Sequence, residues 1–241
     1  LIPIFLGFII PILFIIGNVV YEFDRIDFEK VLDLTSNTFI VSLIASSIII
    51  FIAVYFQFLK RIIKNKILTV FNEAISLTYA LPGAVIGLSL IIMFTSFPLN
   101  SEFLIGSFIV LIYAYVMRYM AVGISPLKSS FEKHPSSYDD TAVNLGMGPL
   151  KLFKSIHLPI NKSAIAIAFL ITFVDIIKEL PITLILRPFN FDTLAVQTYE
   201  YAIEEMIPKS SIYSLTIVMM GIILLIFLKK IVNKEIDVSR S

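Results

Sequence analysis

The sequence predicts an all-α membrane protein, a polytopic bundle of six transmembrane helices. Hydrophobic residues make up 58% of the 241-residue chain and charged residues only 15%, with a mean hydropathy of +0.92. A soluble domain has about 45–50% apolar and about 25% charged residues. The apolar residues come in continuous runs near the length that crosses a bilayer, about 20 residues, and do not alternate. Lipid offers backbone polar groups no water, so only helices and closed barrels cross it, and continuous runs select helices.

Within one domain covering 1–241, the spans are expected at about residues 1–20, 39–59, 75–97, 103–122, 163–184 and 212–228. The first carries Pro3 and Pro11. It has neither a basic leader nor a small-residue cleavage site, so it reads as a span and not a signal peptide. It opens at Leu1 with no Met, so a missing upstream segment is expected. Pro82 and Gly83 fall inside the third span, and Pro181 falls near the end of the fifth. A long polar loop, 123–162, separates the fourth and fifth.

Basic residues set the expected orientation. Lys60, Arg61, Lys64, Lys66, Lys128, Lys133, Lys151, Lys154, Lys162, Lys229, Lys230, Lys234 and Arg240 fall on one side. The other side holds Arg25, Lys30, Arg187 and Lys209. The 123–162 loop and the C-terminus are therefore expected in the cytoplasm. The first outer loop, from Tyr21 to Asp33, is acidic.

Several function classes drop out. A net charge of +1 argues against a nucleic-acid partner. The absence of cysteine removes disulfides, thiolate metal sites and cysteine nucleophiles. His134 and His157 have no recognisable metal spacing. No GxxxxGK[ST] phosphate loop occurs, and no nucleophile–base pair can be assembled.

Two stretches carry functional signals. In the loop, Ser137 is expected to cap a helix, with Asp140 in the position of a capping-box acid. Tyr138, Thr141, Ala142 and Leu145 recur at helical spacing, and Gly146 falls where a helix end takes a left-handed residue. Pro149 suits the first turn of a second helix with Leu150, Phe153, Lys154 and His157 on its face, and Pro159 closes the unit. On physics alone this is a pair of amphipathic helices on the membrane surface or a lever for a partner. In the second stretch, Asp175, Lys178 and Glu179 sit inside or at the end of the fifth span at i, i+3 and i+4, and are expected on one helix face. Charges at bilayer depth are costly and usually face a bundle interior or an aqueous path. One lysine neutralises one carboxylate, so the other needs a partner, and Arg118 is the candidate. Pro181 invites a kink. The reading is open between a charged path with a gate and a structural ion pair.

The first stretch resembles the EAA loop of ABC-importer permeases. Asp140-Thr141-Ala142 stands for E-A-A, then come Val143 to Leu145, Gly146, Met147 to Ser155, and Ile156-His157-Leu158-Pro159 for I-x-L-P. Asp replaces Glu and Thr replaces the first Ala. The phrase Lys178-Glu179-Leu180-Pro181, Thr183, Leu186-Arg187-Pro188, Phe191, Thr193-Leu194-Ala195 is similar to that of the ferric-iron branch, as is Tyr79-Ala80-Leu81-Pro82-Gly83. The resemblance extends over essentially the whole chain, as the second half of a two-half permease.

That resemblance implies the type I importer (MetI-like) architecture and a transport subunit rather than an enzyme. It implies ferric iron as the cargo and the bacterial inner membrane as the place. It implies that Asp140, Thr141, Ala142, Leu145, Gly146, Ile156, Leu158 and Pro159 form the coupling site for ABC ATPase subunits. Asp175, Lys178, Glu179, Pro181, Pro82 and Gly83 would form the translocation path or gate. The chain would bind no cofactor, with ATP and Mg on the partner ATPase. Further partners are a periplasmic or surface-tethered substrate-binding protein, a second permease half (fused upstream or as a dimer) and membrane lipid. Tyr199, Glu200, Tyr201, Glu204 and Glu205 offer hard oxygen donors on the outer side, but a solvated docking loop for the binding protein is the preferred reading. Import of thiamine or another small solute is the alternative within the class. An ion-coupled secondary transporter relaying through Asp175, Lys178 and Glu179 is the alternative outside it.

Overall fold

The computed structural model describes residues 2–63, 65–96 and 104–240, with side chains as far as residue 232. The expected span limits at Leu1, Phe97 and Phe103 and the loop lysine Lys64 lie outside the described residues, as do the side chains of Lys234 and Arg240. All regular elements among the described residues are helical. Among the described residues, four helices are long and apolar enough to cross a membrane, or six if each of two sharply bent pairs counts as one span.

Helix α1 spans Ile2–Tyr21 and buries none of its residues in its most apolar stretch. After a short turn, α2 runs over Phe28–Ile63. At about 1.5 Å per residue it is about 54 Å long, well beyond an apolar layer of about 30 Å. The span expected at 39–59 is therefore only its middle. Glu29, Lys30 and Asp33 interrupt the apolar window but do not stop the helix, so much of the acidic outer loop is helical.

The expected third span, 75–97, is broken. Helices α3 (Lys66–Thr78) and α4 (Gly83–Ser96) meet at 110°. Pro82 lacks an N–H, and the residue before a proline is pushed out of the α region, so the chain turns at Tyr79–Pro82. Helix α5 (Phe108–Lys133) carries Pro126 in its interior and reaches well past the expected limit at 122. The polar loop thus begins near 134, where 123 was expected.

Two short helices follow, α6 (Ser137–Asn144) and α7 (Pro149–Ile160), and α7 meets α8 (Lys162–Ile177) at 71°. The fifth span was expected to continue to 184. Instead α8 ends at Ile177, and a separate α9 (Pro181–Leu186) begins at the proline. Helix α10 (Leu194–Ile203) leads to α11 (Ile207–Arg240), which extends the span expected at 212–228 in both directions.

Helices α2 and α5 form the centre, with α8 against both. The principal core draws Ile49 and Ala53 from α2, Leu111, Tyr115 and Leu127 from α5, Ala168 from α8 and Ile182 from α9. Helix α1 lies outside this core against α11, where Asn18 Nδ2 donates to Ser211 Oγ at 3.2 Å. Gly123 lets α5 approach α2: a Cβ there would stand 2.7 Å from Ile49 Cγ2 and 3.2 Å from Ile50 Cδ1. Overpacking of this kind costs about 1–3 kcal/mol. Gly123→Leu is expected to lower the thermal unfolding midpoint of the purified protein, while Gly17→Leu, where a Cβ meets nothing within 4 Å, leaves it nearly unchanged.

Candidate functional site

The loop stretch folds as a helical hairpin held to the membrane bundle by a charged clamp. Helix α6 ends at Gly146, whose φ of +77° is left-handed backbone that a side chain would strain. Met147 N–H donates to Ala142 O at 3.0 Å and Gly146 N–H to Val143 O at 2.9 Å, the two bonds of a Schellman stop. The expected capping box does not form. The N-cap is Ser136, with no side-chain capping bond, and the first amides turn back to the carbonyls of Pro135 and Ser136.

What holds the hairpin comes from α2. Arg61 Nε stands 2.6 Å from Asp139 Oδ2, and the same guanidinium donates to the carbonyls of Phe131 (2.5 Å), His134 (3.0 Å) and Pro135 (2.8 Å). One cation thus satisfies the open carbonyls where α5 ends and fixes the first turn of α6. The other oxygen of Asp139 lies 2.8 Å from His157 Nε2 on α7. The His157 ring stacks on Phe131 at 5.5 Å and lies 5.3 Å from Phe58. Phe58, Phe131, Ala142 and Leu152 form a small core beneath. Burial holds His157 below the ordinary histidine value of 6.5, with Asp139 opposing. The imidazole is therefore neutral at pH 7 and donates from Nε2 to the carboxylate. At the α7–α8 corner, buried Asn161 accepts from Ser130 Oγ at 2.7 Å and donates to His157 O at 2.8 Å.

The tip of the hairpin has no such partners. Leu145 is 72% exposed and Leu150 67%. Asp140, Thr141, Gly146 and Pro159 are exposed, and Ile156 and Leu158 are half-buried. Ala142, at 3% exposure, packs inside and shapes the hairpin from within. An open apolar groove of about 310 Å³ runs between Tyr138, Thr141, Leu145, Met147, Ile156 and Ile160.

The second constellation is rearranged relative to the sequence reading. Asp175, Lys178 and Glu179 do not share a helix face, because α8 ends at Ile177. Lys178 turns outward, its side chain 62% exposed, and pairs with Asp175 at 2.9 Å. Glu179 turns inward and is 5% exposed. Tyr119 donates a short hydrogen bond to Glu179 Oε2, Arg118 Nε lies 3.6 Å from the same oxygen, and Ile182 N–H donates to Oε1 at 2.9 Å. The carboxylate so caps α9 and pairs with α5 at once. Arg118 also donates to Leu81 O at 3.3 Å, in the break between α3 and α4. A Cβ on Gly83 would come within 2.5 Å of Arg118 Nη1 and 2.9 Å of Glu179 Oε1, so glycine is what admits the pair. The structure therefore brings Pro82, Gly83, Glu179 and Pro181 together around Arg118 and Tyr119, and leaves Asp175 and Lys178 as a separate pair.

Sequence reasoning missed Asp139, the bracing role of Arg61 and His157, and Tyr119. Tyr115 and Tyr119 stand one turn apart on α5, and both hydroxyls point to the α8–α9 break, where Tyr115 Oη lies 2.5 Å from Thr183 Oγ1. Two phenols at i, i+4 in a span were the available signal.

On the opposite side, Arg187 joins Asp192 and Glu200, with Nη2–Oε1 at 2.7 Å. Among the described residues no group of three or more His, Cys, Asp or Glu is placed to hold a metal ion.

The fold and these two sites define a class: an all-helical, multi-pass membrane protein with a braced hairpin on one face and a buried charge between two broken helices. No family model matches the chain. It is 28% identical over 205 residues to the Fe(3+)-transport system permease protein FbpB 2 of Haemophilus influenzae, a match covering 85% of this chain and 40% of that protein. It is 33% identical over 91 residues to the maltose/maltodextrin transport system permease protein MalG of Escherichia coli, covering 37% of this chain and 30% of that one. The MalG of Photorhabdus laumondii is 32% identical over 91 residues. The chain thus spans 40% or less of the length of these curated relatives. By these matches the chain is similar to transport-system permease proteins, one of them a permease for Fe(3+) by name.

Two outcomes follow. A histidine whose folded pKa is depressed stabilises the fold above its unfolded value and ceases to do so as pH falls through the folded one. Hydrogen exchange at 134–160, corrected for intrinsic rate, is expected to quicken as pH falls from 7 to 5. A His157→Gln variant should weaken that dependence, leaving the part carried by His134, whose pKa burial also lowers. Glu179→Ala leaves Arg118 without its anion and is expected to cost about 3 kcal/mol. Glu179→Gln keeps an acceptor for Tyr119 and Ile182 and should cost less in the same denaturation measurement.

Proposed function

We propose that the chain is the membrane-spanning permease part of a binding-protein-dependent importer of ferric iron. Separate ATPase subunits drive it, and ATP and Mg are held on those subunits. The observation that carries the coupling half of this reading is the hairpin: an apolar tip around Leu145 and Leu150 without a partner, on a base clamped by Arg61, Asp139 and His157. An exposed apolar patch rimmed by polar residues fits a protein interface. A rigid base lets force on the tip reach the spans. The tip and the C-terminus face the cytoplasm, in line with the basic residues gathered on that side.

Iron rests on the relative. The Haemophilus influenzae protein is a permease for Fe(3+) by name, and its match takes in both the hairpin and the Glu179 region within 85% of the chain. Iron arrives on a binding protein at the outer face, and a second permease half, fused or separate, completes the path. The two breaks joined by Glu179 are where that path opens and closes. They hold the buried charge of the bundle interior, and breaks turn with little loss of helix hydrogen bonding.

The test is radiolabelled ferric-iron uptake in cells carrying the complete permease with its binding protein and ATPase, beside a Gly146→Asp variant of equal membrane abundance. Uptake in the parent, and a fall of at least about tenfold in the variant, is the expected result; a tenfold fall corresponds to about 1.4 kcal/mol. Thiamine uptake in place of iron moves the cargo and keeps the class. Full uptake with Gly146→Asp overturns the coupling role.

A further inference from the structure

A polar cavity of about 250 Å³ lies where α1, α2, α10 and α11 end together, lined by Glu22, Arg25, Asp27, Lys30, Tyr201 and Lys209 among others. On the orientation proposed above this is the outer face. Lys30 lies in the first turn of α2 and Lys209 in the first turn of α11. First turns present free N–H groups and the positive end of the helix dipole, which favour acids and disfavour lysines. Both lysines nonetheless converge on one ring. Their Nζ atoms stand 5.4 Å and 6.0 Å from the centre of Tyr201, and Lys30 Nζ also donates to Tyr201 Oη at 3.5 Å. Tyr213 holds that ring by stacking at 5.7 Å.

Neither ammonium has an ion-pair partner among the described residues. The cavity's carboxylates, Glu22 and Asp27, make other contacts at its rim. Glu22 lies 3.8 Å from Arg25, and Asp27 Oδ1 accepts from Lys30 N–H at 3.0 Å. Two ammonium groups without an ion-pair partner therefore meet at one ring beside the start of α11, while Asp27 caps the start of α2. A compact oxyanion with several acceptors answers this arrangement, and phosphate is a group that lysine charges and a helix N-terminus hold.

The surroundings name the source. Tyr21, Phe23 and Phe28 are exposed beside the cavity, the aromatic composition of a membrane–water boundary. The apolar flank of α1 leads away from it over Ile2–Tyr21 and buries nothing. We propose that Lys30, Lys209 and Tyr201 form a phosphate-anion site filled by the headgroup of an anionic phospholipid, whose acyl chains lie along α1.

The experiment is native mass spectrometry of the complete purified permease with phosphatidylglycerol, phosphatidylcholine or inorganic phosphate. Lys30→Gln/Lys209→Gln is the variant, with Lys128→Gln/Lys133→Gln as the charge-matched control. Near a membrane surface each lysine contributes about 1 kcal/mol, so the double variant should hold phosphatidylglycerol about thirtyfold more weakly. The control should bind as the parent does, and Lys30→Arg/Lys209→Arg should restore binding. If inorganic phosphate binds alone, displaces the lipid and is lost in the same variant, the site stands and its source is the free anion. Equal lipid retention in parent and double variant overturns the proposal. So does a parent that holds neither anion, which leaves the lysines to a docking protein. No readout involves iron or ATP, so this site and the transport reading fail independently.

Discussion

The bundle depends on one buried carboxylate. Glu179 is placed where two interruptions of helix meet: the 110° turn between α3 and α4, and the gap between α8 and α9. Each interruption frees backbone groups that lipid cannot satisfy. Glu179 takes up Ile182 N–H from one break, and its partner Arg118 takes up Leu81 O from the other. The pair thus does for both breaks what water does at a loop. A buried ion pair gives little net stability against apolar side chains of the same volume. Its presence here is explained by the breaks, which need a donor and an acceptor at bilayer depth and would otherwise be straight helix.

Around this point the molecule divides into rigid and interrupted parts. Helices α2 and α5 are unbroken, at 36 and 26 residues, and pack on each other through Gly123. Their length carries them out of the apolar layer on the side of the hairpin. That reach is what brings Arg61 to Asp139 and Phe58 and Phe131 to His157. The hairpin is therefore braced on the two rods of the bundle as well as joined to α8. Elements α3–α4 and α8–α9 are the interrupted ones, and Glu179 and Arg118 lie between them.

Much of this was legible in the sequence. Apolar composition and continuous runs are enough for an all-α membrane bundle, since the bilayer admits so few alternatives. Gly146, Pro149 and Pro159 mark the hairpin because each restricts or frees the backbone in a defined way. Helix limits were not legible. A hydropathy reading stops at 39 and at 122, whereas the helices run on to Phe28 and Lys133 through polar residues that a helix accepts outside the apolar layer. Nor was the direction of Glu179. Spacing places Asp175, Lys178 and Glu179 together only on an unbroken helix, and the stop at Ile177 turns Glu179 away from its neighbours. The clamp of Arg61, Asp139 and His157 joins residues 78 and 18 positions apart, and no local pattern records such a meeting.

The geometry also constrains how motion passes through the protein on the proposed reading. Force at Leu145 meets a hairpin whose two helices share Asp139 and a small apolar core, so α6 and α7 move as one body. At the corner, Asn161 ties His157 O on α7 to Ser130 on α5, and the 71° bend is held by these bonds rather than left to a flexible linker. Helix α8 carries no break from Lys162 to Ile177 and is about 24 Å long. The first freedom that displacement meets is the gap at 178–180, directly followed by Pro181. That gap holds Glu179. On the proposed reading, a rigid tip, a pinned corner and a straight rod deliver the hairpin's displacement to Glu179, which reaches the other broken helix through Arg118. A path that opens there, as proposed, would do so because the elements before it are more fully bonded.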